Sequence, residues 1–408
     1  MQRSNEARDE GLERSLMMNT TFDFANPYPF YTHLREHHPV SQNENGTWHL
    51  TRYQDVSLLL SDKRFGRKSP ISQSYVHIND AASRLDAMIS KWSLFNDPPV
   101  HTHLRKMLSE FLTPRRMKDT KDVIESIVDT LITSMMQKDH VNFMEAFAYQ
   151  LPISVINHLL GSSLDVATVR KWSFAVASAM DHGYYEQLEN ITPTIISMYD
   201  YFRQLVLERE ANTGQDWISE MVKLKHKYQL GADDIISNSI FLLLAAHETL
   251  QLTLGLGVLT LANHPEQLLL LQNNLDLAPL AVEEILRYEA PWTKLSRWTY
   301  EDVIIDDIVI PKHQLVVGVI NAANRDPARF THPDVFDITR TNNRHFSFGY
   351  GIHLCHGALL ARLEMQCAFS KLAPLFNRMT IMKDQIEWFA NSSLRYITNL
   401  PIRIDSYE

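Results

Sequence analysis

The feature that most constrains this chain is a short run, Phe346-Ser-Phe-Gly-Tyr-Gly-Ile-His-Leu-Cys-His-Gly, which carries one of its two cysteines. Gly349 and Gly351 allow a tight loop with backbone angles that other residues avoid. Gly357 leaves room for a flat group to approach the chain, and Phe348 can cover the Cys355 sulfur. A helix is expected to begin near Gly357, with Leu359, Leu360 and Leu363 on one face. Its N-terminus would point at Cys355, where the helix dipole favours a thiolate. A thiolate that holds a metal needs a stiff backbone, N–H donors and shelter from water, and this loop offers all three. A buried, inert cysteine is the competing reading. It suits Cys367, which falls mid-helix among apolar residues.

Around that loop the chain reads as mostly helical. Glycine numbers 13 in 408 residues, while Leu, Ala, Met, Glu and Gln are plentiful, which favours helix over sheet. Helical spacing of apolar residues runs through 31–36, 100–111, 118–137, 143–160, 165–180 and 192–211. Gly231-Ala-Asp-Asp opens a longer helix that Asp233 could cap, and His264-Pro265 stops it. Alternation in Thr47-Trp-His-Leu-Thr suggests a strand, and short β-branched stretches between 300 and 320 suggest a small sheet. Residues 66–90 lack a clean period and read as a functional or mobile loop. Residues 1–20 read as a disordered lead-in and 21–408 as a single domain, mainly α with a small β region.

Charge and cysteine use exclude several function classes. The net charge is −9, whereas a nucleic-acid partner calls for a basic footprint. Two cysteines do not make a disulfide framework. Met1 to Leu16 is charged and lacks the apolar core of a signal peptide. The longest apolar run, Ile240 to Ala246, falls far below the roughly 20 residues that span a bilayer. The expectation is a cytoplasmic protein with no membrane insertion. Gly255-Leu-Gly257 is not a dinucleotide loop, because it lies in an apolar helix with no strand before it. His37-His38 reads as surface rather than as a metal site.

The cysteine run resembles the haem-binding signature of the cytochrome P-450 family. Phe348-x-x-Gly351-x-His353-x-Cys355-x-Gly357 matches it position by position, and Ala361-Arg-Leu-Glu is similar to bacterial members. The resemblance spans about residues 26–401, and from His264 to Arg340 it looks especially like Bacillus-type members. It implies the P-450 fold, one haem domain, and heme b (iron protoporphyrin IX) with Cys355 as the thiolate ligand of iron. Such a thiolate pushes electron density to the iron and favours O–O cleavage. Glu284-Ile-Leu-Arg287 resembles the family's paired Glu and Arg, with Arg340 as the third member of a network bracing the cysteine loop. An exposed helical ion pair, which is weak, is the alternative for Glu284 and Arg287. His101 and Arg105, one helical turn apart, resemble the residues that hold the haem propionates, together with Arg297 and His353. Ala245, Phe348, Gly349 and Gly357 would line the cofactor. In Ala245-Ala-His-Glu-Thr249 the resemblance implies that Thr249 positions oxygen and water while Glu248 feeds protons. The usual glycine of that motif is Ala246 here, whose methyl narrows the oxygen pocket.

The same resemblance implies a monooxygenase. O₂, two electrons and two protons would insert one oxygen atom into a C–H or C=C bond. Substrate recognition should come from residues 66–92, Leu242 to Thr249, Trp292 to Leu295, and Ser392 to Leu394. Leu242, Ala246, Trp292, Leu295 and Leu394 suggest an apolar substrate of moderate size, fatty-acyl, polyketide-like or another secondary metabolite, free or tethered to a carrier protein. No flavin or nicotinamide signature is present, so electrons are expected from a ferredoxin or flavodoxin with its reductase. Arg105, Lys106, Arg115, Arg116 and Lys118 could form the docking patch. Two alternatives stand: a peroxide-driven peroxygenase, against which Glu248 and Thr249 argue, and a non-catalytic haem-binding sensor or partner-recruiting protein.

Overall fold

A computed structural model describes residues 22–70, 80–180, 188–391 and 393–405. The lead-in, residues 71–79 of the expected loop, and Ser392 lie outside the described residues. In chain order the helices are α1 (Tyr28–His37), α2 (Tyr53–Ser61), α3 (Asp80–Ile89), α4 (Val100–Ser109) and α5 (Pro114–Met135). Then follow α6 (Gln150–Leu160), α7 (Val166–Met180), α8 (Leu188–Ala211), α9 (Trp217–Leu224), α10 (Ala232–Asn263), α11 (Pro265–Asn273), α12 (Ala278–Tyr288) and α13 (Ala358–Leu372). The expected loop at 66–90 therefore holds a helix in its second half. The helix expected from 118 starts earlier because Thr113 caps it, accepting from Arg116 N–H, and Pro114 fills its first position. The stretch expected as one helix over 143–160 divides into a π-helical turn, Met144–Ala148, and α6.

The longest helix, α10, organises the core. Its first turn is held by Asp234, not by the expected Asp233: the Asp234 carboxylate accepts the Gly231 N–H at 2.7 Å. Asp233 instead accepts the Tyr199 hydroxyl. The helix ends as expected, because Pro265 has no N–H to continue it and opens α11. α10 packs against α6, α8, α12 and α13. Gly257 lets α13 close in, since a Cβ there would lie 2.3 Å from the Phe369 ring. This helix is long and apolar enough, by length and composition, to cross a membrane, although no single apolar run in it is; 67% of its most apolar window is buried inside the protein.

The β structure lies beside this helical body. One five-stranded sheet has the order β1 (Val40–Gln42), β2 (Trp48–Leu50), β8 (Leu315–Val319), β5 (Lys294–Thr299) and β3 (Phe65–Gly66). β2 and β8 run parallel and the other pairs antiparallel, with Arg297 opposite Val316. β6 (Val303–Ile305) and β7 (Ile308–Ile310) form a hairpin. β4 (His140–Asn142), β12 (Pro401–Ile404) and β9 (Met379–Ile381) form a third sheet. β10 (Glu387–Phe389) and β11 (Tyr396–Asn399) form a fourth. The expected small sheet at 300–320 is thus a hairpin plus the strand that carries β5.

Candidate functional site

The cysteine loop is set by its glycines. Gly349 and Gly351 both have φ of +71°, and a Cβ on Gly351 would lie 2.5 Å from the Leu60 carbonyl oxygen. The loop is therefore pressed against the end of α2. Within it, Cys355 N–H donates to the Phe348 carbonyl at 2.8 Å, and Gly349 N–H to that of Phe346 at 2.7 Å. The Cys355 sulfur is within hydrogen-bonding reach of the Gly357 and Ala358 N–H groups at the start of α13, and Arg105 and Arg362 lie nearby. Burial nevertheless outweighs these donors and pushes the thiol up, so the dipole alone does not make the expected thiolate. Cys355 remains exposed as a residue, and binding a metal ion at its sulfur would deprotonate it. The three leucines of α13 do not share a face: Leu359 is exposed, Leu360 buried and Leu363 packed on the core.

Behind the loop lies a buried charge network. Glu284 and Arg287 are both 0% exposed. Arg287 meets Glu284 through Nε and Nη2, each at 2.8 Å, and Arg340 Nε adds a third contact at 3.2 Å. Asp337 N–H and Asn343 Nδ2 donate to the same carboxylate at 3.0 Å. The exposed-pair alternative is thereby removed. Arg287 also donates to the Asn324 carbonyl, and the Asn324 side chain binds Phe346 N–H and Ser347 Oγ. Ser347 Oγ in turn donates to the Leu286 carbonyl at 2.6 Å, so helix α12 and the cysteine loop are joined directly.

A second group of polar residues converges beside Cys355. The rings of His101 and His353 are 4.3 Å apart. Both nitrogens of buried His101, and Nε2 of His353, lack a well-formed hydrogen bond. Burial, aided by His353 and Arg105, holds His101 down at about 4. Arg297 is buried, spends Nη1 on the Ser296 carbonyl, and is pushed down to about 9 by burial and then by Arg67. Two residues here were missed in the sequence. Asp97 accepts N–H groups of Arg67 and Lys68 at 2.9–3.1 Å and the Tyr300 hydroxyl, and lies 3.9 Å from His353 Nε2. Arg67 bonds the Leu94 and Ser296 carbonyls. Only long-range contacts bring them in, so no local pattern announces them.

α10 has an open face of its own. Ala245 is exposed, with Ala246, Glu248 and Thr249 half-buried. Burial raises the Glu248 carboxyl above its ordinary range. Leu242 is largely core, whereas Phe241, one turn before Ala245, and Leu244, one turn before Glu248, are half-buried, a spacing that was available in the sequence. Trp292 and Leu394 come together in an isolated antiparallel bridge, and Leu295 instead lies toward Gly349 of the cysteine loop.

Comparison with known proteins decides the family. The "Cytochrome P450" family description matches residues 202–401. The chain is 33% identical over 385 residues to the "Biotin biosynthesis cytochrome P450" of Bacillus subtilis (strain 168), covering 93% of this chain and 96% of that protein. The chain belongs to the cytochrome P450 family. Among solved structures, P450BioI in complex with hexadec-9Z-enoic acid ligated acyl carrier protein aligns with a TM-score of 0.86 at 32% identity, covering 94% of this chain and 98% of that one. The bacillaene polyketide synthase cytochrome P450 PksS of Bacillus subtilis 168 aligns at 0.84 and 30% identity, covering 95% and 99%.

This P450 is an oxidoreductase that holds haem through the Cys355 thiolate. Its residues fit the group. His101 presents two buried nitrogens without a well-formed hydrogen bond, with Arg105 nearby, and a Cβ added at Gly357 would meet open space. The surface patch is smaller than expected. Arg116 is paired with Glu220 at 2.9 Å and Arg105 faces Cys355, which leaves Lys106, Arg115 and Lys118 exposed. His37 and His38 are exposed, and no metal-holding group of His, Cys, Asp or Glu occurs among the described residues.

Proposed function

We propose that this P450 is a cytoplasmic monooxygenase, one haem domain over residues 21–408, that inserts oxygen into an apolar fatty-acyl or polyketide-like chain. Bound haem supplies the chemistry of O₂ activation and transfer of one oxygen atom to carbon. The protein's residues would do the rest. Cys355 anchors the iron, while His101, Arg105, Arg297 and His353 receive the propionates, with Ala245, Phe348, Gly349 and Gly357 along the ring. Glu248, whose carboxyl burial pushes above its ordinary range, would hand protons toward Thr249, whose hydroxyl would hold water in place. Phe241, Ala246, Trp292 and Leu394 shape the apolar wall. Electrons would come from a separate ferredoxin or flavodoxin docking on Lys106, Arg115 and Lys118.

The observation that carries this reading is the Glu248–Thr249 pair lying on the open face of α10 beside Ala245. Relatives support the substrate class: one was solved with an acyl carrier protein bearing hexadec-9Z-enoic acid, and another belongs to a polyketide pathway. The test has two stages. The carbon monoxide difference spectrum of the reduced protein should show the band that names the family. Titration with hexadecenoic acid, with its carrier-protein thioester and with a macrolactone should then shift the spin state for at least one. A normal carbon monoxide band with no shift for any of the three would reject the substrate class and keep the haem assignment.

A further inference from the structure

His247 lies on the same turn of α10 as Glu248 and Thr249, yet it is only 1% exposed. A buried imidazole is costly unless its nitrogens are bonded, and here both are. Nδ1 is 2.8 Å from the Leu243 carbonyl, and Nε2 is 2.9 Å from Ser173 Oγ on α7. A carbonyl only accepts, so Nδ1 carries the hydrogen. Burial holds the ring down at about 4, which keeps it neutral and leaves Nε2 as a bare acceptor. Ser173 must then donate its single hydrogen to Nε2, in competition with the Val169 carbonyl at 3.0 Å. A second attachment lies one turn earlier on α7. The Arg170 guanidinium sits 4.2 Å over the Tyr149 ring and within hydrogen-bonding reach of Tyr396, whose hydroxyl also has Glu248 in its surroundings. On the outer side of α7, Phe174 is 67% exposed, so the helix is held mainly from its inner face.

We propose that the Ser173–His247 hydrogen bond makes His247 a positioning residue, which fixes the turn bearing Glu248 and Thr249 relative to α7. The acid–alcohol pair then responds to where α7 sits. The catalytic meaning rests on the role proposed above for Glu248 and Thr249, whereas the tether stands on the hydrogen bond.

The experiment uses the haem-loaded full-length chain and the variants Ser173→Ala, Ser173→Thr and Glu248→Gln. Amide exchange is followed over 165–180 and 243–250. The infrared carboxyl band that disappears in Glu248→Gln reports the Glu248 environment. Ser173→Ala should raise exchange several-fold in both segments and shift the carboxyl band, and Ser173→Thr, which keeps the hydroxyl, should restore both. Faster exchange confined to α7, with the carboxyl band unmoved, overturns the tether. If Ser173→Ala folds poorly, Ser173→Cys, a weaker donor of similar size, makes the same comparison and should give intermediate shifts. A Thr249→Ala variant that leaves the share of electrons lost to peroxide unchanged would defeat the acid–alcohol reading, while exchange and the carboxyl band still decide the tether.

Discussion

The two sides of this molecule solve opposite problems. On the cysteine side, polar groups are buried and bonded to one another: Glu284 alone accepts from two arginines, an asparagine and a backbone N–H. Away from it, Trp292 is 37% exposed beside Leu394, and on α10 Ala245 is open and Glu248 is shifted by burial alone. A buried polar network tolerates one arrangement, because each unpaired member is costly. An apolar wall tolerates many side chains of similar size. The two regions should therefore differ in how much substitution they withstand.

The comparison breaks first if the network can be cut cheaply. Glu284→Ala strands Arg287, which is 0% exposed. Removing one partner of a buried pair costs about 3–5 kcal/mol. The variant should unfold at much lower denaturant and fail to hold haem, read by unfolding midpoint and by the carbon monoxide difference spectrum. An unchanged midpoint would mean the network is ornament to the fold.

The same contrast explains what the sequence revealed. Cys355, Glu284, Arg287 and Arg340 stood out because each sits in a short pattern with fixed spacing, and the fold gathers Glu284, Arg287 and Arg340 into one buried cluster. Helix boundaries followed from caps and prolines, with Asp234 taking the place expected for Asp233 because its side chain, two positions further on from Ala232, reaches back to Gly231. Asp97 and Arg67 were not legible as a pair. Their contact joins the end of β3 to the residues before α4, and no local period encodes it. Arg116 read as a free surface cation until the fold brought Glu220 beside it.

Glu364 sharpens the comparison, since it is one point where the rigid side is left unsatisfied. It is fully buried on α13, its Oε2 has no partner, and burial raises its pKa well above 4.5. Folded protein thus keeps a proton that the unfolded chain releases above about pH 4.5, so stability falls as pH rises until the folded pKa is passed. The slope is about 1.4 kcal/mol per pH unit at most. Glu364→Gln removes the titration. Its advantage in Tm over the parent should grow with pH above about 4.5; parallel curves would show that Glu364 is ionised or hydrated in the folded state.

The smallest effect should appear on the loose side. Trp292 pairs with Leu394 and is partly exposed, so Trp292→Ala removes apolar wall without leaving a buried polar group behind. Stability should change by less than about 0.5 kcal/mol, as at most surface positions. Loss of apolar contact with a chain substrate is worth about 1–2 kcal/mol, or roughly a tenfold weaker spectral Kd. If the variant instead unfolds early and binds as before, Trp292 belongs with the braced side of the molecule, and the boundary between the two regions must be moved to Leu295, which already lies toward the cysteine loop at Gly349.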